Sequence, residues 1–486
     1  MKLLFITFSN THFSYSKRFN RFSFPIFNTL GFICPFFLQK TIKIANFSDR
    51  KSTKSYISVL GNIYPSDQWT NVGVTILQEI ERKLHLQTSH PLGILRKIIE
   101  SQFSTSHYEI FNDISPIVNI EENFDFLGFS SDHPDRSRSN TYYINQNLVL
   151  RTHTSAHQIE KLKKMKKDGF IITADVYRRD EIDKTHYPIF HQMEGVRVWS
   201  KTEKVLVMKD IEVENINVLF SDVIIEDTTP LFHKERNPLQ ANHQENDVEM
   251  IVNHLKRTIE KIIVHIYKLS FQSYDSSKKN IHFPLKIRWV ESYFPFTSPS
   301  WELEIFWKEK WIEVCGCGII KHELFKHAGT PNRIGWAFGL GLERLAMIFF
   351  EIHDIRLFWS KDPRFLKQFS SGKISTFQPY SKYPLCYKDI AFWINENVHD
   401  TYMSSLIKKK PFHENDFMEI VRNVGGNLIE EVKLIDKFIH SKTKRKSMCY
   451  RINYRSMDRS LSHEEVNELQ EQIRELVSKE FYVELR

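Results

Sequence analysis

The last 110 residues of this 486-residue chain, 377–486, leave few folds open. Apolar spacing there predicts strand, helix, strand, strand, helix, strand, near residues 385–394, 414–424, 428–439, 446–456, 462–479 and 481–485. Side chains alternate with a period of two along a strand, so Met448, Tyr450, Ile452 and Tyr454 share one face. Ser462 and Glu465 have capping-box spacing ahead of the helical stripe Val466, Leu469, Ile473 and Leu476. This order is that of a split βαβ, ferredoxin-like sandwich, with two helices covering one face of a sheet and the other face open. The residues before it must build at least one further body, because a chain this long exceeds a single core.

Residues 1–48 carry six basic side chains (Lys2, Lys17, Arg18, Arg21, Lys40 and Lys43), and the first acidic residue is Asp49. With its many Phe and Ser residues, this segment has the composition of a mitochondrial transit peptide, which would send the chain to the matrix. Residues 22–39 are uncharged, but Pro25 and Pro35 break the run and its length is marginal for a bilayer. Beyond residue 48 the balance is 61 basic to 59 acidic residues, so net charge says little about partners. Five cysteines (Cys34, Cys315, Cys317, Cys386 and Cys449) are too sparse for a disulfide framework. Cys315 and Cys317 have no second close pair, which argues against a zinc site built from cysteine alone.

Between the two ends, residues 49–70 read as a polar lead-in, 71–360 as an α+β body and 361–376 as a linker. Residues 200–245 are polar and irregular, an insertion or exposed connection. His90-Pro91 opens a helix with Leu92, Leu95, Ile98 and Ile99 on one face. A second helix is expected over 246–268, strands at 285–291, 301–308 and 311–320, and a third helix from Gly341.

Five blocks carry the chemistry. Thr173–Tyr177 is a strand ending at Arg178, and Phe190–Val198 is its return partner, after Thr185-His186-Tyr187. Alternation puts Phe190, Gln192 and Glu194 on one face. An aromatic, an amide and a carboxylate in line suit a ligand with a π-face and an ammonium, and Arg178 at the mouth suits a phosphate. A surface hairpin with an ordinary Arg–Glu pair fits that block equally well. Arg151 to Gln158 is a loop at the head of a helix, able to offer N–H groups to an anion or to serve only as an N-cap. Phe294-Pro295-Phe296 is a stiff apolar wall or a core turn. Glu313-Val314-Cys315-Gly316-Cys317-Gly318 has strand glycines that mark close approach. The last block, Gly335 to Arg344, is a glycine-rich strand running into a helix.

In this order the blocks resemble the class II aminoacyl-tRNA synthetases. The Arg178–Glu194 hairpin resembles the second motif of that class and Gly339 to Arg344 the third. The first is least distinct, matched by the helix and strand of 90–117 ending near Pro116. His153-Thr154-Ser155, Phe190 to Glu194 and Phe294 to Phe296 narrow the resemblance to the phenylalanyl enzymes, and the C-terminal module to the organellar single-chain form. The implied fold is α+β: a catalytic domain with an antiparallel sheet flanked by helices, plus a ferredoxin-like anticodon-binding domain.

The resemblance implies phenylalanine, ATP with Mg²⁺ and tRNA(Phe) as reactants, with no prosthetic group and a monomeric enzyme. It implies that Arg178 holds the α-phosphate, Arg344 the γ-phosphate, and that Phe190 stacks on adenine. Gln192 and Glu194 would take the amino group, with Ser155, Ala156, His157, Gln158 and His153 around the ammonium and carboxylate. Thr185, His186 and Tyr187 are expected on the substrate side. Phe294, Phe296 and Ala337 would enclose the phenyl ring. Gly316, Cys317, Gly318 and Gly341 would offer backbone, and Glu313 would reach the ATP-bound magnesium. On the C-terminal module, Lys442, Lys444, Arg445, Lys446, Arg451 and Arg455 are expected to meet tRNA. The alternatives are an inactive RNA-binding paralogue and a ligase that activates a small acid without tRNA.

Overall fold

The computed structural model describes residues 55–201, 223–272, 284–379, 383–395 and 409–486. The expected transit peptide, and residues 202–222 of the expected insertion, lie outside the described residues.

An eight-stranded sheet forms the larger body. Its order is Tyr108–Phe111, Gly169–Tyr177, Ile189–Ser200, Arg333–Gly341, Lys310–Ile320, Thr297–Trp307, Leu285–Phe294 and Val223–Glu226. All central pairs are antiparallel, as expected, but both edge strands run parallel to their neighbours, so the sheet is mixed. The helix Glu245–Gln272 covers the back face. Its Ile251, Leu255, Ile259, Ile262 and Ile263 share one core with Met193, Trp301, Leu303, Cys317, Trp336 and Phe338. Apolar positions four, four, three and one apart form a stripe on a 3.6-residue helix, and the alternate residues of each strand meet it. Helices Pro91–Glu100 and Leu342–Phe349 join the same core. The front face carries the complementary residues, including Ile172, Val196 and Ala337.

Residues 386–485 form the expected sandwich. Its sheet order is Ile429–Ile439, Lys446–Tyr454, Cys386–Ile394 and Val483–Leu485, with helices Glu414–Gly425 and His463–Glu480 on one side. Met448, Tyr450, Ile452 and Tyr454 are buried against those helices. Ser462 Oγ accepts from the Glu465 N–H at 3.1 Å, the cap its sequence spacing required.

Three expectations differ from the fold. The polar lead-in includes a hairpin, Tyr56–Val59 with Asn62–Pro65, turned at Leu60-Gly61, both with positive φ. The strand after the first helix ends at Phe111, and Pro116 instead precedes Ile117–Asn119, part of a separate three-stranded sheet. The expected linker 361–376 holds a helix, Pro363–Lys367, capped by Asp362, and Phe365, Phe369 and Ile374 are buried in the main core. Among the described residues no helix is long and apolar enough to cross a membrane.

Candidate active site

The front face of the sheet has a bare centre. Across the ladder, Glu194 pairs with Gly339, Gly339 with Gly316, and Gly316 with Glu302; Gln192 pairs with Gly341. A Cβ on Gly339 or Gly341 would find only one neighbour, at 4.0 Å, so this stretch of backbone is open to a ligand. At Gly316 a Cβ would sit 2.6 Å from the Phe294 ring, so glycine is what lets that ring lie on the sheet.

Beside this floor stands the turn Thr154–His157, which leads into helix Gln158–Lys164. Its donors converge on one carboxylate. Thr154 Oγ1 and Ser155 Oγ donate to Glu194 Oε2 at 2.9 and 2.8 Å, and Gln158 Nε2 donates to Oε1 at 3.2 Å. The Thr154 N–H donates to Gln192 Oε1 at 3.2 Å. Glu194 is buried and all three donors are neutral. Burial pushes its pKa up to about 7, and the hydrogen bonds only partly offset this. A buried carboxylate without a cation is a site prepared for one.

An aromatic enclosure adjoins it. Phe296 stacks on Phe294 at 6.1 Å and on His153 at 6.0 Å; Phe129 stacks on His153 at 5.7 Å and lies 6.3 Å from Phe296, so the three rings form a triangle. Burial pushes the His153 pKa down to about 3, with Arg178 adding to the effect, so the ring is neutral. Ala337 is buried among Phe170, Ile172 and Val196, with Phe129 and Phe296 packed against that cluster.

At the other end lie the cations. Arg178 is exposed, is held by Thr152 O at 2.8 Å and lies over the Phe190 ring at 5.3 Å. Arg344 donates to the Glu313 carboxylate and carbonyl, both at 2.9 Å, and both side chains are open to solvent. Strict alternation from Gly316 would turn Glu313 to the back. The register shift opposite Leu303/Glu304 brings it to the front instead, beside Glu304.

Thus Arg178, Phe190, Gln192, Glu194, Ser155, Gln158, His153, Phe294, Phe296, Gly316, Gly341, Ala337, Glu313 and Arg344 share the front face. Gly318 lies beside Ala337 on the same ladder. Six further expected residues have their side chains engaged elsewhere in the free protein. Ala156 packs with Val118, Tyr143 and Val149, away from Glu194. The Cys317 side chain faces the back core, because it alternates with Gly316 and Gly318, so the contact proposed for it is one of backbone alone. His157 Nε2 lies 3.0 Å from Arg151, which leaves Nδ1 as its one nitrogen without a partner among the described residues. Thr185 and His186 are tied into their own turn by Asp183, while Tyr187 donates to Asn427 at 2.9 Å and stacks on Trp359.

That last contact belongs to a larger joint. The loop 179–187 is gripped by the C-terminal module. Arg179 pairs with Asp416 at 2.8 Å, Asp180 O accepts from Arg422 at 2.6 Å, and Lys184 pairs with Glu430 at 3.1 Å. Ile182 inserts into the module's core, and its carbonyl accepts from Val432 N. Sequence reasoning missed Thr154 and Phe129 at the site. The hydroxyl sat unselected inside an otherwise selected block, and Phe129 lay outside all five blocks.

On the module's open face, Arg451 makes a two-pronged pair with Asp389 at 2.8 Å and lies over Tyr387 at 4.4 Å. Arg445 lies over Trp393 at 5.3 Å. Lys442 and Lys444 are exposed, with no ion-pair partner among the described residues. Arg455 instead pairs with Glu430 at the joint, at 2.9 Å, so it departs from the expected RNA face.

The description "tRNA synthetases class II core domain (F)" matches residues 72–210 and 239–369. "Ferredoxin-fold anticodon binding domain" matches 381–486. The mitochondrial phenylalanine–tRNA ligase of Saccharomyces cerevisiae is 47% identical over 460 residues, covering 89% of this chain and 95% of the relative. The chain belongs to the phenylalanine–tRNA ligases of class II. Other members are similar across both domains. The mitochondrial ligase of Mus musculus is 41% identical over 433 residues, covering 87% of each chain. The chloroplastic/mitochondrial ligase of Arabidopsis thaliana is 42% identical over 425 residues, covering 86% of this chain and 83% of the relative. Membership of this organellar group of ligases accounts for one chain carrying both modules.

Proposed function

We infer that the chain attaches L-phenylalanine to tRNA(Phe) through a phenylalanyl adenylate, using ATP. The observation that carries this is Glu194: a buried carboxylate with three neutral donors, next to a pocket of aromatic rings. The ammonium of phenylalanine supplies the missing cation and its ring fills the enclosure. The amino acid's carboxylate attacks the α-phosphorus of ATP and pyrophosphate leaves. The terminal hydroxyl of the tRNA then attacks the acyl carbon and AMP leaves. Neither step needs a side-chain nucleophile; alignment and cationic stabilisation of developing phosphate charge suffice.

In this reading Arg178 meets the α-phosphate, Arg344 the γ-phosphate, and Phe190 takes adenine on its face once Arg178 turns to phosphate. Gly316, Gly339 and Gly341 form the floor beneath. Glu304 and Glu313 lie together at this end of the sheet, paired with Arg288 and Arg344, and their carboxylates are the hard oxygen donors that Mg²⁺ takes. Glu313 would hold it, and the ion would neutralise phosphate charge. Ala337 would close the phenyl pocket. The C-terminal module would meet the anticodon arm with Arg445, Arg451 and the 442–446 turn. Residues 1–48 would direct import into the mitochondrial matrix, and the enzyme would act as a monomer. Arg178, Glu194 and Arg344 all stand in the site, which gives the inactive-paralogue alternative no support. Phenylalanine-dependent exchange of pyrophosphate into ATP, followed by charging of tRNA(Phe), tests the reading. Exchange without charging would point to a ligase that does not use tRNA.

A further inference from the structure

Arg151 is almost wholly buried beneath the turn that feeds Glu194, and every nitrogen of its guanidinium is engaged. Nε donates to Asp175 O at 2.6 Å and NH1 to Ser115 O at 2.7 Å, while NH2 pairs with the Asp175 carboxylate. Asp175 is held in turn by the Tyr177 hydroxyl at 2.6 Å. NH1 also lies 3.0 Å from His157 Nε2. A guanidinium can only donate, so Nε2 must be the acceptor. The imidazole is therefore neutral, with its one proton on Nδ1. Nδ1 has no acceptor among the described residues and is not sealed from its surroundings.

We propose that Arg151 is a positioning residue that fixes the tautomer of His157, so that its Nδ1–H is presented as a donor to the carboxylate of the amino-acid substrate. This rests on the reading of the Glu194 pocket as the phenylalanine site. Thr154, Ser155 and Gln158 of the same turn hold the group that takes the ammonium, and His157 lies on the flank of that turn. A carboxylate wants an N–H there; the other tautomer would present a lone pair. With Nε2 blocked, His157 cannot serve as a general base through that atom.

The charged and titratable groups facing His157 are Arg151, Lys161, His153 and Asp175. Burial, followed by Arg151 and Lys161, pushes its pKa down to about 2, so the parent ring stays neutral throughout the working range. Removing Arg151 together with its partner, as Arg151→Met/Asp175→Asn, avoids leaving a buried charge unpaired. The ring is then free to take either tautomer, while burial, the largest cause of its lowered pKa, still keeps it neutral.

The test is the ratio of KM, variant over parent, for phenylalanine and for ATP in pyrophosphate exchange at pH 8. We expect about tenfold for phenylalanine, with KM for ATP within about twofold. A phenylalanine ratio near unity, or an equal rise for ATP, overturns the proposal, because a merely structural defect moves both. Should the double variant not fold, histidine-labelled parent gives the same answer. Long-range proton–nitrogen correlations, assigned by the signal lost in His157→Asn, must show the Nδ1–H form from pH 5.5 to 8. The opposite tautomer would refute it. Calorimetric titration of the parent with phenylalanine separates the two claims: failure to bind sinks the site reading, while the tautomer result stands alone.

Discussion

Replacing Glu194 by glutamine should make the free enzyme more stable and a worse enzyme. The carboxyl is buried, and its pKa is raised from an ordinary 4.5 to about 7. A group raised in the folded state lends stability that is fully present below its unfolded pKa and lost as pH rises through the folded value. The shift spans roughly 2.5 units, worth about 3 kcal/mol at 1.36 kcal/mol per unit. Above pH 7, then, the ionised side chain costs the empty enzyme about 3 kcal/mol relative to a neutral one. Glutamine is neutral at every pH, and the hydroxyls of Thr154 and Ser155 can rotate to accept from its amide.

Urea unfolding at pH 8 should therefore show Glu194→Gln more stable by about 2–3 kcal/mol, with the gain shrinking below about 1 kcal/mol at pH 5. Binding should move the other way. Loss of a charge-assisted hydrogen bond of about 1.5–3 kcal/mol weakens phenylalanine by roughly ten- to a hundredfold. In the parent, the ionised fraction falls from about nine-tenths at pH 8 to about one-tenth at pH 6, so Kd should rise about tenfold over that interval. The variant should show no such dependence. A variant less stable than the parent at both pH 5 and pH 8, or a parent Kd flat from pH 6 to 8, would falsify the picture of a carboxylate held ready for a cation.

Other outcomes follow from the same geometry. Arg178→Ala and Arg344→Ala should each abolish pyrophosphate exchange with little change in melting temperature, since both side chains reach open solvent; normal exchange would remove them from the phosphate site. Arg179→Ala should destabilise by about 1.5–3 kcal/mol, because Asp416 loses its closest cation and keeps only Lys410, while Glu419 keeps Arg422; a loss under 1 kcal/mol in urea unfolding would contradict that. Neutralising Lys442, Lys444, Arg445 and Arg451 should raise KM for tRNA while exchange is spared, and an unchanged KM would mark the face as merely solvated. Ala337→Gly should admit para-chlorophenylalanine with a modest loss for phenylalanine, and undiminished discrimination would show that Ala337 is core packing only.

Why some of this was legible in the sequence and some was not comes down to range. The sandwich of residues 386–485 was readable nearly to its ends, because each of its elements is set by local periodicity and a cap such as Ser462. The front-face trio Phe190, Gln192 and Glu194 was readable for the same reason: alternation on an unbroken strand leaves no choice of face. Where the strand is interrupted, alternation misleads. The shift near Leu303/Glu304 carries Glu313 to the front while the unbroken run beyond it keeps Cys317 at the back, so two neighbours in one motif part company. The loop 179–187 was illegible for a different reason. Its partners, Asp416, Arg422, Asn427, Glu430 and Val432, lie more than two hundred residues away, and nothing local distinguishes a tyrosine that meets substrate from one that meets Asn427. Arg151 sits between these cases. Its position at a strand end was visible, but only the folded chain reveals that one guanidinium meets Asp175, Ser115 and His157 at once. A sequence can announce which side chains have the chemistry for a site, but the hydrogen-bond partner that decides a histidine's proton has to be seen in space.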